Sequence, residues 1–211
     1  MTRVAIFDYG SGNLRSAERA LIECGVEVLI TSEKNTLLES DGILIPGVGS
    51  FQACMKGILA HRGDEIVDKR LAGGRPVLAI CVGMQIMFST GIEHAVMTQG
   101  LSQWPGQVDL LEADVIPHMG WNTVQVSDSS KLFRGIENER FYFVHSYGVR
   151  NWVMSSSHSQ DPPILTWTTH GKPFIAAVEN GPLTATQFHP EKSGEAGIKL
   201  LSNWIAGFKN G

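Results

Sequence analysis

The spacing of apolar and polar positions changes about halfway along the chain. In the first half, short apolar runs that predict buried strands cover residues 3–8, 26–31, 42–46 and 76–80. Asn13 is expected to cap a helix that reaches Cys24, and a second helical stretch is predicted over much of 51–71. The apolar residues expected on one face of the first helix are Leu14, Ala17, Leu21 and Ile22. This alternation predicts a parallel sheet with helices on both faces.

The second half contains more strands and more turn signals. Strands are predicted over residues 108–117, 122–126, 141–146, 164–168, 174–179 and 183–188. Turn signals at Gly135, 171–173 and 180–181 favour antiparallel pairs there. Residues 155–163 have the composition of a surface loop, and a closing helix is predicted over about 195–208. We therefore predict one α/β domain over 1–211, with an open, mostly parallel sheet and an antiparallel extension in the second half.

Composition and charge argue against several classes of protein. Hydrophobic residues make up 43% and charged residues 18% of the 211 residues, as in an ordinary globular chain. The net charge of −4 and the lack of a basic patch argue against nucleic acid as a partner. No apolar run reaches the ~18 residues of a membrane span, and the opening apolar stretch is too short for a signal peptide. Three cysteines without a CxxC pair favour a reducing, cytoplasmic setting.

The clearest sign of chemistry is the segment from Val77 to Gln85, in which a buried strand runs into small residues and then a helix. Such an elbow lifts one side chain, here Cys81, above the carboxyl edge of the sheet and points the amide of Val82 at the same place. A helix N-terminus there favours the thiolate. Most cysteines are inert core residues, and Cys24 and Cys54, on predicted helices among apolar neighbours, fit that description.

A nucleophilic thiolate needs a base, and the base needs a group that orients it. His189 follows the last predicted strand, and Glu191 lies two residues further on. Strand ends meet at one edge of a parallel sheet, so Cys81 and His189 are expected to converge there. The glycines on either side of Val48 permit close backbone approach, which suits Val48 and Gly49 as oxyanion donors facing Cys81. Alone, this glycine pair indicates only a turn.

Other common sites are not indicated. The glycines at 10 and 12 follow a strand as in a dinucleotide-binding fold, but Arg15 stands where that motif has its third glycine. The sequence contains no GxxxxGK[ST] phosphate-binding loop, and no metal-ligand spacing stands out. No cofactor is therefore expected.

Several segments together resemble a known family. They are 46–49 (PGVG), 81–85 (CVGMQ), 117–122 (PHMGWN), 142–147 (YFVHSY) and 187–193 (QFHPEKS). In these segments the chain resembles the class I, triad-type glutamine amidotransferases. PHMGWN, with the opening Gly12-Asn13, makes it similar to the glutaminase subunits of imidazole glycerol phosphate synthase, over nearly the whole chain. Ala79, where the family often has glycine, and the less acidic stretch 89–92 depart from the family pattern.

The resemblance implies a flavodoxin-like fold and a heterodimer with a (βα)8-barrel cyclase that uses ammonia from glutamine to make imidazole glycerol phosphate and aminoimidazole carboxamide ribotide. It implies Cys81 as nucleophile, His189 as base and acid, and Glu191 as the residue that orients His189. Oxyanion amides would come from Val82 and from Val48 or Gly49. The remaining matches are Gln85, Glu93, Ser146 and Tyr147 for glutamine binding, and Asn13, Met119 and Trp121 for the cyclase interface.

Three alternatives stay open from the sequence. A cysteine peptidase or other hydrolase uses the same kind of elbow, although Gln85 and Glu93 suit a free amino acid better than a peptide. A non-catalytic binding subunit is disfavoured by the intact Cys81, His189 and Glu191. A glutaminase subunit of another amidotransferase synthase is disfavoured only by PHMGWN.

Overall fold

The apolar runs of the first half form four parallel strands of the main sheet in the structure, a computed structural model that describes residues 1–152 and 162–210. They are β1 (Arg3–Phe7), β2 (Glu27–Thr31), β3 (Gly42–Gly47) and β4 (Val77–Cys81). The side chains of β3 and β4 are buried throughout, because helices cover both faces of the sheet.

Six α-helices accompany the strands in the described part of the chain. They are α1 (Leu14–Glu23), α2 (Lys34–Glu39), α3 (Phe51–Ala60), α4 (Gly63–Ala72), α5 (Val82–Gln85) and α6 (Gly194–Ala206). Asn13 caps α1 as predicted, since its side chain accepts a hydrogen bond from the Ser16 amide at 3.4 Å. Ala17 and Leu21 are buried, but the prediction for Ile22 was wrong, because Ile22 lies off the buried face and is 56% exposed. None of the helices among the described residues is long and apolar enough to cross a membrane.

Nine further strands follow α5 among the residues that the structure describes. They are β5 (Phe88–Glu93), β6 (Val96–Gln99), β7 (Trp104–Leu110), β8 (His118–Thr123), β9 (Arg140–His145), β10 (Tyr147–Gly148), β11 (Ile164–His170), β12 (Lys172–Asn180) and β13 (Leu183–Thr186). Short 3₁₀ turns at Pro190–Lys192 and Gly207–Asn210 flank α6.

Seven strands from both halves share one sheet in the order β11-β12-β13-β4-β3-β1-β2. Strands β2, β1, β3, β4 and β13 are parallel, and β12 and β11 extend the sheet as antiparallel neighbours. The parallel part has the 2-1-3-4-5 order of flavodoxin-like folds. The predicted fold class, including the antiparallel extension, is therefore confirmed. A four-stranded sheet, β10-β7-β5-β6, and the pair β8-β9 complete the structure.

Three predictions of secondary structure were wrong in detail. The helical stretch 51–71 is two helices, because Arg62 between them is left-handed with φ 54°. The strand predicted at 108–117 begins at Trp104 and ends at Leu110, before the acidic residues Glu112 and Asp114. The strand predicted at 122–126 begins instead at His118, because pairing with β9 sets its register. The helix predicted after Cys81 is present as a single turn, Val82–Gln85. The loop predicted at 155–163 lies largely outside the described residues.

Candidate active site

Cys81 ends β4 in an unusual backbone conformation. Its φ is 57° and its ψ −114°, although it is not a glycine, and its side chain is 3% exposed. Such a conformation costs on the order of 1–3 kcal/mol and persists only where the surroundings impose it. Here they do: a Cβ at Gly83 would lie 2.3 Å from the Ile45 carbonyl oxygen, and one at Gly47 would lie 2.2 Å from the Gly83 nitrogen. The two glycines let β3 and α5 approach closely enough to hold the elbow.

His189 reaches Cys81 because β13 and β4 are parallel neighbours and end at the same edge of the sheet. His189 Nδ1 lies 2.7 Å from Glu191 Oε1, and both side chains are buried. Cys81 and His189 line the same cavity, and the Cys81 side chain is close enough to raise the pKa of the imidazole. The main-chain N–H of His189 donates to the Tyr142 carbonyl at 2.9 Å, which ties the loop to β9. Sulfur, imidazole and carboxylate are thus buried next to one another.

The electrostatics of His189 combine opposing influences. Burial lowers its pKa, while hydrogen bonds to Cys81 and Glu191 raise it, and the net result is a pKa of about 10. The cationic imidazole is therefore favoured at neutral pH. A buried cation beside a cysteine sulfur is the kind of electropositive setting in which reactive cysteines are found.

The glycine-flanked residue Val48 is held by a side chain that the sequence did not single out. The Val48 N–H donates to Ser11 Oγ at 3.2 Å, and the Ser11 hydroxyl donates to the Val48 carbonyl at 2.8 Å. The Val48 amide is therefore directed at Ser11, in the loop after β1, and not at Cys81. Ser11 lies within the Gly10–Gly12 segment that the sequence suggested only as an incomplete dinucleotide motif.

A cavity of about 230 Å³ opens next to Cys81. All four residues predicted for glutamine binding line it, namely Gln85, Glu93, Ser146 and Tyr147, together with Val48, Gly49, Val82 and His189. Val144, His145 and Lys192 also line it and were not predicted. Its volume lies below the roughly 300–1,000 Å³ of pockets for drug-sized ligands and suits a single amino acid.

Glu93 faces both the cavity and the segment after Val48. Its carboxylate accepts a hydrogen bond from the Phe51 amide, at the N-terminus of α3, at 2.9 Å. Burial raises its pKa, and this backbone hydrogen bond lowers it in part. One carboxylate oxygen thus anchors α3, while the side chain lines the cavity, where it can meet a cationic amino group.

A larger and more open cleft, of about 1,040 Å³, lies at the opposite edge of the sheet. Its lining includes Gly25, Asp41, Pro76 and Gly181, near the amino ends of the central strands. Ligands of open α/β sheets bind at the carboxyl edge. The smaller cavity, which Cys81 and His189 line at that carboxyl edge, is therefore the candidate site.

Two buried histidines, His145 in the wall of the cavity and His118 next to it, are in contact. His118 on β8 and His145 on β9 are directly opposite in register, with His118 Nδ1 3.2 Å from His145 Nε2. Burial lowers the pKa of His118 to about 4 and that of His145 to about 3. Both are therefore neutral in the folded protein at pH 7, whereas in the unfolded chain each titrates near pH 6.5.

Acid should therefore destabilise the fold through these histidines. Between pH 6.5 and about 4 the unfolded state binds more protons than the folded state, so stability falls as pH falls. For His118 alone the expected loss from pH 7 to pH 5 is about 2 kcal/mol, at 1.36 kcal/mol per unit. His189, whose pKa is raised, has the opposite slope, and its contribution is lost only as pH rises from 6.5 to about 10.

Urea unfolding of the wild type and of His118→Gln at pH 7 and pH 5 measures this effect. The variant should be less stable at pH 7 but should lose about 2 kcal/mol less on acidification. An equal acid-induced loss in both proteins would show that His118 is not responsible.

The three residues predicted for the cyclase interface are all exposed. Met119 and Trp121 on β8 are 63% and 50% exposed, and Asn13 lies at the start of α1. The Trp121 ring packs edge-to-face on Tyr142, with ring centroids 6.1 Å apart. Within the described ranges, no three His, Cys, Asp or Glu side chains come together as metal ligands.

Comparison with known proteins agrees with this geometry. Residues 5–207 match the family model "Glutamine amidotransferase class-I". A protein of Thermobifida fusca (strain YX) named imidazole glycerol phosphate synthase subunit HisH is 62% identical over 97% of this chain and 98% of its own length. The Corynebacterium diphtheriae protein of the same name is 58% identical over 97% of this chain and 99% of its own length.

Solved structures show the same fold at much lower identity. A crystal structure of a glutamine amidotransferase superposes with a TM-score of 0.74 at 16% identity, covering 97% of this chain and 98% of that one. The chain is therefore a class-I glutamine amidotransferase enzyme. Within that family it belongs to the HisH subunits of imidazole glycerol phosphate synthase.

Proposed function

We propose that this chain hydrolyses glutamine to glutamate and delivers the ammonia to a (βα)8-barrel cyclase, with which it forms a heterodimer in the cytoplasm. The cyclase uses that ammonia to make imidazole glycerol phosphate and aminoimidazole carboxamide ribotide, in histidine biosynthesis. The observation that carries the proposal is the buried Cys81, His189 and Glu191 group beside a cavity of amino-acid size. Residues 1–211 act as one glutamine amidotransferase domain in this proposal.

The reaction begins with attack of the Cys81 thiolate on the side-chain amide carbon of glutamine. A C–S bond forms, and the carbonyl oxygen becomes an oxyanion. The His189 imidazolium then gives its proton to the nitrogen, the C–N bond breaks, and ammonia leaves a glutamyl thioester. His189, now neutral, takes a proton from water, which attacks the thioester. The C–S bond breaks, releasing glutamate and restoring the thiolate, while Glu191 holds the imidazole in place throughout.

The oxyanion needs hydrogen-bond donors, and in this structure one of the two proposed main-chain N–H groups is bonded to Ser11. The Val82 amide, at the first position of α5, is one donor. The second comes from the Val48-Gly49 strand, but Val48 must first leave Ser11. One such donor contributes on the order of 3–4 kcal/mol to the rate, so this rearrangement would gate hydrolysis.

The cyclase is expected to bind where Met119 and Trp121 are exposed, since aromatic anchors dominate interface energies. Trp121 packs on Tyr142, whose carbonyl accepts the hydrogen bond from the His189 N–H. A cyclase bound to Trp121 would therefore be connected to His189 through a single residue, Tyr142. Coupling requires that the cyclase prefer the active arrangement.

Removal of the Ser11 hydroxyl should release Val48. Each of its two hydrogen bonds to Val48 is worth ~0.5–1.5 kcal/mol. Ser11→Ala should therefore raise glutamine hydrolysis by the isolated chain by roughly tenfold and reduce further activation by the cyclase. Ser129→Ala, on an exposed turn, is the control. Ammonia release from glutamine is measured with and without cyclase. An unchanged basal rate in Ser11→Ala would show that Ser11 does not hold Val48 in the inactive arrangement.

The proposed function is tested by co-purification with a histidine-pathway cyclase, followed by assays of glutamine-dependent product. Hydrolysis should increase from the chain alone, to the complex, to the complex with the cyclase's nucleotide ligand, and Trp121→Ala should weaken that increase. Failure to bind the cyclase, with ammonia released for another synthase, would favour a different amidotransferase subunit. Cleavage of peptides instead of glutamine would favour a peptidase.

A further inference from the structure

Gln187, which the proposed mechanism does not use, lies against the nucleophile. Its side-chain nitrogen Nε2 is 3.8 Å from Cys81 Sγ, and the residue is 1% exposed. Its oxygen Oε1 accepts a hydrogen bond from Gln85 Nε2 at 3.0 Å. The same Gln85 nitrogen donates to the Tyr147 carbonyl at 2.8 Å. A buried polar side chain in contact with the reacting sulfur calls for a chemical explanation.

The orientation of both amides follows from these partners. A backbone carbonyl can only accept, so Gln85 must present its NH₂ group to Tyr147. That NH₂ group also faces Gln187, which must therefore present its oxygen. The remaining group of Gln187, its NH₂, is then directed at Cys81.

The Tyr147 carbonyl is itself fixed from behind. His145 Nδ1 lies 2.8 Å from this oxygen and must carry a proton to donate to it, which leaves His145 Nε2 as an acceptor. His118 Nδ1–H donates to that nitrogen, and Asn122 Nδ2 donates to His118 Nε2, both at 3.2 Å. With both imidazoles neutral, every contact in this series pairs one donor with one acceptor. The series thus fixes the position of the carbonyl that orients Gln85.

We propose that Gln187 is a catalytic residue of the glutaminase reaction, in which its side-chain N–H donates to the Cys81 sulfur and stabilises the thiolate. The inference deepens the proposed function and rests on it. An N–H group favours a thiolate over a thioester sulfur, because only the thiolate carries a full charge. Gln187 therefore favours the charged nucleophile before attack and stabilises the thiolate as it leaves in the last step.

Other ionisable groups around Cys81 also influence the pH dependence of its alkylation. They are His189 with Glu191 behind it, Glu93, Lys192 and His145 around the cavity, and Tyr9 and Cys54 from the side of β1 and α3. None of these groups other than Cys81 is hydrogen-bonded to the Gln187 side chain in the described residues, so a change in thiolate formation can be assigned to the lost donor.

The test measures how fast iodoacetamide alkylates Cys81 as a function of pH, with the Cys81-containing peptide followed by mass spectrometry. Gln187→Met keeps the length of the side chain and removes the donor. The pH midpoint of alkylation should rise by about one unit, which corresponds to about tenfold less thiolate well below the midpoint. Gln103→Met, a matched change at a glutamine bonded to Asp68 away from the site, should leave the midpoint unchanged.

A second variant keeps the proposal testable if Gln187→Met does not fold. Gln85→Met removes the group that orients Gln187, so the midpoint should also rise, but by less. Midpoints equal to that of the wild type in folded Gln187→Met and Gln85→Met would overturn the proposal. Alkylation needs no glutamine, so this outcome is independent of the ammonia-release assay, whose failure in the wild type would instead count against the proposed function.

Discussion

Cys81→Ala should abolish glutamine hydrolysis, with a loss of at least ~10³-fold, while free ammonia still supports synthesis by the cyclase complex. Removal of a nucleophile leaves only the rate from binding and oxyanion stabilisation. The backbone at residue 81 has φ 57° and already accommodates the larger cysteine side chain. Alanine should therefore fit there, and the fold and the cyclase surface should be retained.

The measurement compares product formation from glutamine and from ammonium salts in the same complex. Cys24→Ala is the matched control, because Cys24 lies at the end of α1, where its thiol contacts Ala20 and Ile198. Retained hydrolysis of glutamine in Cys81→Ala would show that another group is the nucleophile. Loss of the ammonia-dependent reaction as well would show that the substitution has damaged the complex.

His189→Ala should lose nearly as much activity as Cys81→Ala, whereas Glu191→Gln should be slow but still active. In the proposed mechanism His189 transfers a proton in both halves of the reaction, so its loss would block both. Glu191 transfers none there: its carboxylate, 2.7 Å from Nδ1, would fix the imidazole and stabilise its cationic form. Loss of the orienting carboxylate in a related type of triad costs up to about 10⁴-fold.

Glutamine hydrolysis should be measured for both variants in the cyclase complex, since the isolated chain is expected to be slow. Glu195→Gln, an exposed carboxylate at the start of α6, is the matched control. An activity of Glu191→Gln equal to that of the wild type would remove Glu191 from the proposed triad. Near-normal activity of His189→Ala would show that His189 is not the general base.

The pattern of the sequence was sufficient for the central sheet and for the meeting of Cys81 with His189. Both residues follow apolar strands, and parallel strands bring their carboxyl ends together. The β5-β6 hairpin was missed for a local reason. Its turn at His94 and Ala95 has positive φ at both residues, which hairpins usually signal with Asn or Gly.

Other parts of the site depend on pairing that no local pattern reveals. His118 meets His145 only because β8 starts at His118 and pairs with β9, 27 residues away. Ser11 reaches Val48 because β1 and β3 are neighbours, so the loops that follow them lie side by side. Gln187 is part of the QFHPE segment that the sequence analysis singled out. The role proposed for it depends on the orientation of its side-chain amide, which only its contacts with Gln85 and Cys81 define.

The proposed mechanism is tested most directly by locating the covalent intermediate. The complex with cyclase is mixed with radiolabelled glutamine, quenched in acid during turnover and digested, and the label is traced among the peptides. The proposed mechanism predicts label on the Cys81 peptide, released by mild alkali as expected for a thioester, and none in Cys81→Ala. Sustained turnover with label on no peptide, or on a peptide that contains Cys24 or Cys54, would contradict it.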